Sequence, residues 1–176
     1  MTESVITTIN AMKRETFIAT FGSVYQNAEW AAEEAYACRP FADASTLHTT
    51  LNAMVRGAPE GARIRVIRAY PGLEQFLAAA PDAPVFPNGN EAPAGLGRLS
   101  PEEFAQFRSL NKAYQERFDM PFVIYAEGRT SAEIMKALEQ RLRYEPEVEI
   151  ATALNEISLF AQDKLATIYQ TLEKTA

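Results

Sequence analysis

The sequence predicts an all-α domain, a bundle-like arrangement of seven or eight helices with short connections. Two observations carry this. The stripe Phe104, Phe107, Asn111, Tyr114 and Phe118, apolar but for Asn111, recurs at steps of three and four, which is helical spacing. Helix starts and stops are also explicit: Ser100-Pro101 with Glu103 three residues after the serine marks a start, and Tyr70-Pro71-Gly72 marks a stop.

Taken in order, residues 1–12 read as a short helix or arm. Residues 13–21 carry Phe17, Ile18 and Phe21 on one face, with Gly22 as C-cap. The 23–27 stretch is a turn, and Gln26 and Asn27 are turn residues. A helix over 28–37 has Trp30 near its start and ends at Arg39-Pro40. Ser45 is expected to cap the next helix, whose stripe is Leu47, Leu51, Met54 and Val55 and which Gly57 ends. His48 lies beside that stripe as an ordinary half-buried histidine. Pro59 opens a helix with Ile64 and Ile67 inward. A short helical piece is expected over 73–80.

Residues 81–98, PDAPVFPNGNEAPAGLGR, admit no regular element at that density of proline and glycine. A loop of this length in a compact domain points to function, here as the cover of a pocket. Ser100 and Glu103 then form a capping box, Pro101 takes the first helical position, and Leu99 and Phe104 are placed as a hydrophobic staple. Asn111 shares the apolar stripe of this helix and needs a partner when buried. Pro121 stops the helix, and Phe122, Val123, Ile124 and Tyr125 follow as a buried, extended run whose backbone donors have no helical partner. Gly128 turns the chain, and Ser131 is expected to cap a helix with Ile134, Leu138 and Leu142 inward. Pro146 opens the last and longest helix, with Ile150, Leu154, Ile157, Ala161, Leu165 and Ile168 in register.

The 176 residues are enough for one domain with a real core, taken here as 1–176. An apolar share of 47% and a charged share of 23% are ordinary for a globular protein. A net charge of -6 without any Lys/Arg cluster argues against a nucleic-acid surface. No apolar run reaches membrane-span length, and MTESVITTIN lacks the regions of a signal peptide, so a cytoplasmic location is expected. Cys38 is the only cysteine and His48 the only histidine, which leaves no thiolate metal site and almost no imidazole-based one. Any chemistry therefore falls to carboxylates, arginine, tyrosine and backbone donors.

Several stretches together resemble one family. Leu110-Asn111-x-Ala113-Tyr114-x-x-Arg117-Phe118-x-x-Pro121-Phe122-Val123-Ile124 is similar to LNxAYxxRFGFPFVI of the 2-oxo-4-hydroxy-4-carboxy-5-ureidoimidazoline (OHCU) decarboxylases, with Asp119 and Met120 where Gly and Phe are usual. Ala94-Gly95-Leu96, Phe21-Gly22-Ser23-Val24-Tyr25 with Trp30, and Arg141-Leu142, Glu149, Ala153-Leu154 and Glu156-Ile157 match further family patterns. Two family motifs are altered. LRAHPDL, which holds the family's catalytic His, reads Ile67-Arg68-Ala69-Tyr70-Pro71-Gly72-Leu73. Without gaps, Asn90 falls on the catalytic Glu of the family's SxxEQ motif, and a one-residue slip would place Glu91 there instead.

The resemblance implies a cofactor-free decarboxylation with no metal, acting on OHCU or a substituted, for example N-methylated, ureidoimidazoline. Loss of CO₂ would leave an enolate-like anion, protonated on one face to give (S)-allantoin or its analogue. Tyr70 and Glu91 are the expected catalytic positions. Arg141, Pro71, Asn90, Phe122, Val123, Ile124, Gln26 and Trp30 are the expected substrate contacts, with Arg141 facing the same cavity as Tyr70. Partners would be a small-molecule substrate and, as in the family, a second copy in a homodimer. With the family histidine replaced, an alternative stands beside the enzyme: a non-catalytic member that binds a related heterocycle or a protein partner.

Overall fold

The computed structural model describes residues 3–72 and 100–175. Among these residues the regular structure is eight α-helices and no strand, as the sequence predicts. They are α1 (Glu3–Ala11), α2 (Arg14–Phe21), α3 (Glu29–Tyr36), α4 (Ala44–Gly57), α5 (Glu60–Arg68), α6 (Pro101–Phe118), α7 (Ser131–Arg141) and α8 (Pro146–Thr175). The helix expected at 73–80 and the loop at 81–98 lie outside the described residues, as do Asn90 and Glu91.

The chain divides into two compact units, Met1–Val66 with Ser158–Ala176, and Ile67–Ile157. The first has an aromatic centre: Phe17 lies 4.8 Å from Phe21 and 6.0 Å from Phe41, centroid to centroid, with Leu47, Leu51 and Val55 buried on α4. Gly22 sits where the chain passes close to itself. A Cβ there would lie 2.7 Å from the Ile18 carbonyl oxygen and 2.9 Å from Glu29 Cγ, so only glycine fits. The cap of α4 is Asp43 and not Ser45: its carboxylate accepts the Thr46 N–H at 2.7 Å, and those bonds hold its pKa below the usual value. Asp is as good a cap as Ser, and sequence did not separate two cappers this close together. His48 is half-buried, as expected, its Nε2 3.2 Å from both the carbonyl and the hydroxyl oxygen of Ser158.

The second unit is built on α6. Its start forms the expected capping box, with the Ser100 hydroxyl on the Glu103 N–H and the Glu103 carboxylate on the Ser100 N–H. Phe107, Asn111 and Tyr114 are buried along one stripe. The helix ends at Asp119, whose φ of 51° and ψ of 37° place it in the left-handed region where glycine is common. The cap of α7 is Thr130, one residue before the expected Ser131, because Thr130 and Glu133 make a second capping box. Ile134 and Leu138 are buried, and Ile150, Leu154 and Ile157 bury the matching stripe of α8.

Candidate functional site

Met120 is buried, and after Pro121 the chain runs without helix or strand through Phe122, Val123 and Ile124, which are 0%, 3% and 3% exposed. Burying a phenylalanine this completely contributes about 1.5–3 kcal/mol, which fixes the segment in the core. The Phe122 ring meets Tyr114 edge to face at 5.2 Å and lies 4.6 Å from the Arg141 guanidinium carbon.

Two polar anchors hold this segment. Arg141 Nη1 donates to the Val123 carbonyl at 2.8 Å. The Tyr125 N–H donates to Glu156 Oε2 at 2.9 Å, and Arg129 Nη2 donates to the other oxygen of that carboxylate at 3.1 Å. The N–H groups of Phe122, Val123 and Ile124 donate to no other described residue. Buried backbone donors are nearly always paired, so three in succession are candidates to receive acceptor atoms.

Arg141 ends α7 and is 4% exposed, against a Glu149 that is fully buried in the first turn of α8. Arg141 Nε lies 2.9 and 3.1 Å from the two Glu149 oxygens, and Nη2 donates to Oε1 at 2.5 Å. The Tyr114 hydroxyl donates to the same carboxylate. Burial works against the guanidinium charge, yet the bonds and charge of Glu149 raise the Arg141 pKa above its ordinary value. Burial first, then the Glu149 carboxylate, push the Tyr114 phenol well above the usual tyrosine range. Arg141 therefore stays a cation and Tyr114 a neutral phenol.

Tyr70 is 4% exposed and lies just beyond the end of α5, its N–H donating to the Ile67 carbonyl at 3.1 Å; Pro71 is half-buried. Arg68, two residues earlier, donates from Nε to the Asp119 carbonyl at 2.9 Å and from Nη2 to the Asp119 carboxylate. That clip joins the chain just before Tyr70 to the chain just before Phe122.

Tyr70, Pro71, Phe122, Val123, Ile124 and Arg141 all belong to the second compact unit, where Arg141, Phe122 and Val123 are in direct contact. Gln26 and Trp30 belong to the first unit. Gln26 is half-buried in a turn beside Asn27, whose φ is 55°. Trp30 lines a cleft of about 520 Å³ with Glu34, Met54 and Arg65. Glu149 and Tyr114 match family patterns, but their place beside the candidate donors was not foreseen. A signal was present: Glu149 is in phase with Ala153 and Ile157, so a carboxylate falls on the buried face of α8 and requires a partner. Among the described residues, no group of three or more His, Cys, Asp or Glu is placed to hold a metal ion. No described helix is long and apolar enough to cross a membrane.

Among the described residues, fold and candidate site define an all-helical protein with a buried, non-helical segment at Phe122, Val123 and Ile124 packed against Tyr114 and Arg141. The OHCU decarboxylase family model matches residues 10–166, and the chain belongs to that family. It is 30% identical over 166 residues to the 2-oxo-4-hydroxy-4-carboxy-5-ureidoimidazoline decarboxylase of Haloferax volcanii, covering 94% of this chain and 96% of that one. It is 34% identical over 160 residues to the uric acid degradation bifunctional protein PucL of Bacillus subtilis, where it spans 91% of its own length but only 32% of the relative. Two crystal structures share the fold. One is of (S)-allantoin synthase (TM-score 0.71, 21% identity, 93% of this chain and 53% of that chain). The other is of OHCU decarboxylase in the presence of (S)-allantoin (TM-score 0.60, 18% identity, 90% and 99%).

Proposed function

We propose that this protein decarboxylates OHCU, or a substituted ureidoimidazoline, towards (S)-allantoin or the corresponding analogue, without a cofactor. The observation that carries the reading is the run of N–H groups at the buried residues 122–124, which find no partner among the described residues. Loss of CO₂ breaks one C–C bond and leaves its electron pair on the ring as an enolate-like anion. Preorganised donors aimed at that developing charge are what the step requires. Protonation of the carbon then completes the product. An unperturbed phenol titrates near pH ~10, so Tyr70 serves as hydrogen-bond donor rather than base. The proton moves through water or through Glu91, with Pro71 and Asn90 lining the substrate. The chain is further proposed to act in the cytoplasm as a homodimer, as a single domain over 1–176.

Supporting this reading are the family relatives named for the reaction and the retained Phe122, Val123 and Ile124. A second reading is favoured by Tyr70 itself: with a phenol where the family places its imidazole, the chain would bind a related heterocycle or a protein partner without turning it over. The two are separated by presenting freshly generated OHCU to the protein and following CO₂ loss against the spontaneous background. A rate above background that Tyr70→Phe abolishes supports the enzyme. A rate indistinguishable from background, with (S)-allantoin still bound, supports the binding protein.

A further inference from the structure

We propose that Arg141 is a positioning residue, acting on the substrate only through the backbone of residues 122–124. This rests on the decarboxylase reading above. An arginine suited to gripping a substrate carboxylate needs its planar fork free for two parallel bonds. In Arg141 that fork is taken: Nε and Nη2 both bond Glu149, and Nη1 bonds the Val123 carbonyl at 2.8 Å. Its face is also covered, by the Phe122 ring at 4.6 Å.

The bond to Val123 has a directional consequence. The Val123 C=O and the Ile124 N–H belong to one planar trans peptide and point in opposite directions. Aiming the carbonyl at Arg141 therefore aims the Ile124 N–H away from the guanidinium. The bond from Tyr125 N–H to Glu156 fixes the next peptide plane in the same way. Glu149 orients Arg141, and the Tyr114 hydroxyl orients Glu149. Three helices thus converge on the direction of one peptide plane, and the donor it presents needs no reorganisation when charge develops.

The test compares the wild type with Arg141→Lys and Tyr114→Phe. Lysine keeps the charge but cannot bond Glu149 and Val123 in one plane. Losing one preorganised donor typically lowers kcat by ~10²–10³-fold, and a misaimed donor costs less, so Arg141→Lys should lower kcat about 10–100-fold with KM within about threefold. Tyr114→Phe, which removes one hydroxyl and leaves the rings packed, should move kcat the same way by a smaller factor. A rise in KM with kcat retained would mean that Arg141 touches the substrate, and the proposal fails. It fails equally if kcat does not change. Amide NMR of the same proteins during titration with (S)-allantoin reads the donor directly. The Ile124 N–H should shift on binding in the wild type, less in Tyr114→Phe and least in Arg141→Lys. An equal shift in all three, or none in the wild type, overturns the proposal. If the wild type shows no decarboxylation, the activity reading fails by itself and the amide series still decides this one. If Arg141→Lys does not fold, Tyr114→Phe decides on both readouts.

Discussion

Arg68 and Asp119 are 51 residues apart in sequence, and the arginine reaches both the carbonyl and the carboxylate of the aspartate. Asp119 holds the left-handed position that ends α6, where the family resemblance expects glycine. The departure has a physical reading: aspartate tolerates that conformation better than most residues, and its carboxylate gains a partner that glycine could not supply.

Asp119→Gly should therefore change stability little. Relief of the left-handed backbone gains at most about 1–2 kcal/mol, and an exposed ion pair contributes only ~0–1 kcal/mol. Both side chains of the pair are well exposed, at 47% and 93%. Urea unfolding should give a midpoint equal to or slightly above that of the wild type. A loss above about 2 kcal/mol would show that the clip is stronger than its exposure allows.

Tyr70→His restores the family's imidazole at a buried position beside Pro71. A general acid–base group contributes ~10²–10⁴-fold, so OHCU decarboxylation should rise within that range. Tyr70→Phe should remove whatever activity the wild type has. Both are read by CO₂ release against the uncatalysed rate. No change in either variant, with an inactive wild type, would discard the enzyme reading.

The Arg141–Glu149 pair sets a stability prediction. Glu149→Ala would leave a 4%-exposed guanidinium without its counter-charge. Breaking a buried pair in this way costs about 3–5 kcal/mol, a large share of a domain's stability. Replacing both members, as Arg141→Met with Glu149→Leu, should retain more stability than Glu149→Ala while releasing the Val123 carbonyl. Denaturation midpoints of the single and double variants measure the difference.

Tyr169 sets an alkaline limit. Burial, with the Asp43 charge added, pushes its phenol up to about 12 from 10.0. The unfolded phenol ionises first, so this contribution is complete below about pH 10 and is lost as pH rises towards 12. The raised Tyr114 phenol acts in the same direction. Thermal midpoints should fall from about pH 10 upwards, and less steeply in Tyr169→Phe. An unchanged slope in that variant would take Tyr169 out of the alkaline transition.

Sequence by itself determined the helices, because spacing, caps and breakers are local. The stripe of Phe107, Asn111 and Tyr114, the capping box at Ser100 and the break at Pro121 all follow from residues within one turn of each other. It also supplied the family, through motifs read residue by residue, and the buried, non-helical run at 122–124. Cappers one or two residues apart it did not separate: Asp43 from Ser45, or Thr130 from Ser131. Each pair offers the same chemistry, and the choice is made by backbone angles. Tertiary structure alone decided where the charges go. Arg141 is eighteen residues from Val123 and eight from Glu149, and nothing in a local pattern says that its fork closes on a carboxylate of the same chain. A buried charge must be matched by whatever the fold brings within reach, and that is a property of packing.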